Sequence, residues 1–140
     1  MEENLHSLVY MPDVSEIYDF AYSSLQRLPK SFRTHLKNFI IEVQNFADSE
    51  ILTELAMQDR YDLLGLYRGV PVPLKKKISN KEPDKIYLYR CPLIKHSLEN
   101  KDDVQALVHH VLINEIGHHF GCTAHEMAWM HQQVKFSPEA

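Results

Sequence analysis

Apolar positions along the chain follow two periods. After Pro12, residues Val14, Ile17, Tyr18, Ala21, Leu25 and Leu28 recur at the spacing of one helical face, with Asp13 or Ser15 available as N-cap, and this helix is expected to end near Pro29. Ser31 can cap a short helical turn. Between Asn38 and Gln44 the period becomes two: Phe39, Ile41 and Val43 alternate with polar or outward positions, which predicts a half-buried strand. Asp48 or Ser49 then precedes Ile51, Leu52, Leu55 and Ala56, a short amphipathic helix with acids in its first turn, where the helix dipole favours them.

Residues 63–71, LLGLYRGVP, read as a second strand that Pro71 and Pro73 stop. Residues 71–84 hold three prolines and form the longest irregular segment, and Ile86 to Arg90 follow as a third strand closed by Cys91-Pro92. Asn100 or Asp102 can cap the longest helix, in which Val104, Leu107, Val108, Val111 and Leu112 make one face and Gly121 supplies the stop. A final helix runs from Ala124 to Gln133. This order predicts an α+β fold, with helices flanking a small sheet of about three strands.

Composition narrows the function classes. With 140 residues, 44% hydrophobic, the chain is sized for a single domain over residues 1–140, with residues 1–12 and 134–140 as flexible tails. No stretch approaches the run of about 18 apolar residues that a membrane helix needs, and the opening MEENLHSLVY lacks the pattern of a secretory signal, so a cytoplasmic protein is expected. The net charge of -4 leaves no broad basic surface for nucleic acid, and Lys75-Lys76-Lys77 beside prolines reads as a solvated loop. Cys91 and Cys122 are too few for a disulfide framework and are not spaced as a zinc knuckle, so they read as packed core thiols.

The histidines change this picture. Of nine, six fall between His109 and His131. Counting about 100° per residue from Val104, Glu115 falls at about 20°, near the centre of the apolar stripe, with His118 about 60° away on the same side. Both are expected to face inward, where an ionised carboxylate is costly unless a partner or a metal offsets its desolvation. The segment Asn114-Glu115-Ile116-Gly117-His118 has the frame of H-E-x-x-H, in which ligands at i and i+4 flank a Glu that can accept a proton, with Asn in place of the first His. Gly117 is small enough to admit close packing beneath such a site.

On these residues, together with Leu63 to Pro71 and the Ile86 to Arg90 strand, the chain resembles the short bacterial zincin-like metallopeptidases, the minimal zincins. The resemblance spans most of the chain and implies a small twisted sheet with the zinc helix packed beneath it. It also implies a peptide or protein segment bound along the sheet edge. In the family pattern H-E-x-x-H-x-x-G-x-x-D, both His and the Asp hold Zn²⁺ while Glu is the general base. Position by position, Glu115 matches the base, His118 the second ligand and Gly121 the turn, whereas Asn114 replaces the first His and Ala124 the Asp. A carboxamide is a poor zinc ligand and Ala is none.

Two functions follow from that pattern. In one, the chain keeps the zincin fold with an impaired metal site, weak or no peptidase activity and a residual peptide- or protein-binding role. In the other, it is an active metal-dependent peptidase in which His118 and His125, with Asn114, hold the ion and Glu115 activates water. Of the remaining histidines, His110 reads as a surface or outer-sphere partner, His119 as packing and His109 as surface, while His131 has no assigned place.

Overall fold

The computed structural model describes residues 11–34, 36, 39–71, 74 and 83–133. Residues 1–10 and 134–140 and the Lys75-Lys76-Lys77 run lie outside them, together with most of the segment expected to be irregular. Helix α1 (Val14–Gln26) starts with a capping box in which Asp13 accepts from the Glu16 N–H and Glu16 accepts from the Asp13 N–H. A one-turn helix α2 (Lys30–Arg33) leads to strand β1 (Phe39–Gln44), and α3 (Ser49–Glu54) follows its Asp48 cap. A 3₁₀ turn over Arg60–Asp62 precedes β2 (Gly65–Arg68), which is shorter than the strand expected over 63–71. Strand β3 (Asp84–Tyr89) begins two residues before its expected start.

The three strands form one mixed sheet in the order β1-β3-β2. β3 is central, parallel to β1 (Ile41 opposite Ile86, Val43 opposite Leu88) and antiparallel to β2 (Tyr67 opposite Ile86, Gly65 opposite Leu88). Alternation along β3 divides the protein into two layers. Ile86 and Leu88 enter the main core with Ile17, Ala21, Leu93, Leu112, Ile113 and Ile116, while Tyr89 packs on the other face with Ala47 and Leu63 beneath α3. The fold is α+β, as the periodicity predicts.

One helix was not foreseen. α4 (Arg90–Asn100) follows β3 directly, and Cys91-Pro92, read from sequence as a strand terminator, lies in its first turn, where a missing N–H leaves no hydrogen bond unmade. Leu93, Ile94 and Ser97 face the core. Lys101 closes α4 in the left-handed region at φ 55°, and the Asp102 N–H bonds back to the Ser97 carbonyl. Asn100 and Asp102 are thereby used to end α4, and the N-cap of α5 (Val104–Phe120) moves to Asp103, which accepts from the Ala106 N–H.

α5 is buried nearly all round rather than along one stripe, including Ile113 and Ile116 besides the expected positions, because it packs against α1, β2, β3 and α4 at once. This overturns the surface placement of His109, which is 4% exposed. Its Nδ1 lies 2.8 Å from the Ser24 hydroxyl, which in turn donates to the Phe20 carbonyl. The inward face of α1 is accordingly Ile17, Ala21 and Ser24, while Val14 and Tyr18, expected on that face, are exposed. Ser24→Ala removes the hydroxyl from His109 and is expected to cost about 1–2 kcal/mol in a urea unfolding experiment. An unfolding midpoint equal to wild type would mean that the ring does not rely on Ser24.

Gly121 ends α5 at φ 68°, a left-handed conformation that suits glycine, and turns the chain into α6 (Ala124–Gln133). Thr123 and Glu126 cap α6 reciprocally. α6 folds back on α5 so closely that a Cβ on Gly117 would collide with the end of the Met127 side chain. Among the described residues no helix is long and apolar enough to cross a membrane.

Candidate functional site

The last three turns of α5 carry the residues that the sequence singles out, and β2 and α6 flank them. Glu115 and His118 are brought together: His118 Nδ1 lies 3.2 Å from Glu115 Oε1. They are not equally inward, however. The Glu115 side chain is 13% exposed and the His118 side chain 61%, so the expectation that both face the interior holds for the carboxylate alone. The wheel angle of His118 lies nearer the margin of the stripe than that of Glu115. Burial raises the Glu115 carboxyl above its ordinary pKa, opposed by the nearby His118 and by a hydrogen bond from the Tyr67 backbone N–H. Tyr67 belongs to the edge strand β2, so Glu115 lies beside the sheet edge.

The other expected ligands go elsewhere. Asn114 turns its amide toward α6, where its Oδ1 lies 2.8 Å from His131 Nε2. His131, unplaced by the sequence, thus finds a partner on α5, and its ring stacks on His110 with centroids 4.5 Å apart. His125 is exposed and lines a cleft of about 310 Å³ with Phe32, Cys122, Glu126, Trp129 and Met130. In the same cleft burial pushes the Cys122 thiol up, away from a reactive thiolate.

Beneath the pair lies a polar network that sequence reasoning missed. His119, read as a packing residue, is indeed buried, with its Nδ1 3.1 Å from Tyr67 Oη and 3.7 Å from Asp84 Oδ2. Asp84 Oδ1 accepts from the Tyr67 hydroxyl at 3.2 Å and from the Val70 N–H at 3.0 Å. Burial, then the neighbouring Asp84, raise the Tyr67 pKa, so the phenol keeps its proton and donates it. The Tyr67 hydroxyl thus ties β2 to the start of β3 and to α5. No local period in the sequence reveals that Asp84, at the start of β3, is buried.

Zinc of the family type does not fit these residues. A catalytic zinc needs about three protein donors converging within about 2.1 Å of one point. Here Asn114 offers an amide engaged by His131, Ala124 offers no donor, and His125 faces the cleft. Among the described residues no group of three or more His, Cys, Asp or Glu side chains could hold an ion. The pair can hold a proton between carboxylate and imidazole and can accept or donate hydrogen bonds beside β2.

A family model described as zincin-like metallopeptidase matches residues 36–133, a span that runs from the approach to β1 to the end of α6. No curated protein matches the chain.

Proposed function

Because the chain belongs to the zincin-like metallopeptidase family, we propose that it is a zincin-fold protein whose inherited metal site is impaired, and that its retained Glu115–His118 pair serves a peptide-binding role rather than hydrolysis. The observation that carries this reading is the fate of the first ligand position: Asn114 is paired with His131 instead of sharing an open site with His118. The segment bound would be an extended stretch of peptide or protein along β2. Among the described residues that strand is at the edge of the sheet, pairs on one side only and stands next to Glu115. Main-chain hydrogen bonds to such an edge give affinity, and His118, exposed beside it, offers a polar contact. The competing reading, an active peptidase with His118 and His125 as ligands and Glu115 as base, has the Glu115–His118 contact in its favour and the placement of His125 against it.

Two measurements on chain without a histidine tag separate them. In an NMR titration with a casein digest, shift changes are expected to gather on Gly65–Arg68, Glu115 and His118, while intact casein is not cleaved. His118→Ala is expected to leave zinc affinity unchanged. Cleavage abolished by Glu115→Gln, or tight one-equivalent zinc binding abolished by His118→Ala, would overturn the proposal in favour of the peptidase.

A further inference from the structure

The α5–α6 hairpin holds a second histidine pair, apart from Glu115 and His118. His110 on α5 and His131 on α6 stack with centroids 4.5 Å apart and planes 20° from parallel. We propose that these two imidazoles bind a divalent transition-metal ion between the two helices, with Asn114 as the residue that orients His131. The chemistry follows the usual outer-sphere pattern of metal-bound histidine, in which one ring nitrogen donates its proton to a carbonyl or carboxylate and the other presents its lone pair. Asn114 Oδ1, 2.8 Å from His131 Nε2, accepts in that manner, which places the proton on Nε2 and the lone pair on Nδ1.

His110 is exposed and can rotate. Rotation is needed, because stacked rings direct their lone pairs side by side, whereas two nitrogens on one ion converge on it with bonds of about 2.0–2.1 Å. Water fills the remaining positions. Two imidazoles and water suit Zn²⁺, Ni²⁺ and Cu²⁺, and not Mg²⁺ or Ca²⁺, which prefer oxygen donors. An ion held there would tie α6 to α5 one turn before Asn114, leaving Glu115 and His118 untouched.

The test uses the full chain without a tag, zinc chloride as probe and isothermal titration with NMR detection of the imidazole signals. One equivalent of Zn²⁺ is expected to bind in the micromolar range and to shift the ring signals of His110 and His131. His110→Ala, at an exposed position that does not endanger the fold, is expected to weaken binding by at least about tenfold. His118→Ala is expected to leave it unchanged, which also separates this site from the peptidase reading above. Absence of zinc binding, binding that His110→Ala leaves intact, or binding that His118→Ala removes would each overturn the proposal.

Discussion

Asp84→Ala is expected to destabilise the protein by about 3 kcal/mol, the largest loss from any polar substitution in the described core. The carboxylate accepts from the Val70 N–H and the Tyr67 hydroxyl and stands beside His119, all in the interior between β2, β3 and α5. Truncation leaves the Val70 N–H without this acceptor and withdraws the negative group that faces His119. A methyl in its place cannot offset the desolvation of these donors. Asp84→Asn, which keeps an acceptor oxygen, is expected to lose less than half as much. Urea denaturation of the three proteins, followed by circular dichroism, gives the comparison. A small loss for Ala, equal to that for Asn, would show that the network adds little to stability. A further consequence is local: with Asp84 gone, the Tyr67 hydroxyl loses one of its two partners and keeps His119, and hydrogen exchange at Gly65–Arg68 should quicken.

The double variant Asn114→His with Ala124→Asp is expected to raise zinc affinity by at least about a thousandfold. His at 114 stands one helical turn before His118 on the same side of α5, the spacing at which two imidazoles share an ion. The Asp at 124 begins α6 just after the left-handed turn at Gly121, where a third donor can return to the end of α5. The new imidazole must also give up the hydrogen bond that Asn114 now makes to His131. Competition with a chromophoric chelator, performed in a His110→Ala background so that the hairpin pair does not contribute, measures the gain. Unchanged affinity in a folded double variant would show that position 124 does not approach His118, and the family register assigned to this helix would then be wrong.

Several parts of this protein were legible from local sequence because their causes are local. The N-cap at Asp13, the strand Phe39–Gln44, the left-handed stop at Gly121 and the helix Ala124–Gln133 all follow from residues within a few positions of one another. The motif Glu115-Ile116-Gly117-His118 was legible for the same reason, since one helical turn joins the two polar groups. α4 was missed because Pro92 reads the same way before a strand end and inside a first helical turn. The inward side of α1 was misplaced because Ser24 is buried by a bond to His109, 85 positions away.

What the sequence determined by itself is the α+β order of elements, the family frame on the C-terminal half and the chemical identity of the groups at each ligand position. Against the family pattern, Asn114 stands where a His is expected and Ala124 where an Asp is expected. Tertiary structure alone decided where those groups point. The return of α6 across α5 places His131 on Asn114 and stacks it on His110, and the same return carries His125 into the cleft beside Phe32. The meeting of β2, β3 and α5 assembles Tyr67, Asp84 and His119 from three distant segments. The physical reason is common to both: a helical or strand period specifies which face a side chain leaves from, but the partner on that face comes from another part of the chain, and only folding brings it within hydrogen-bonding distance.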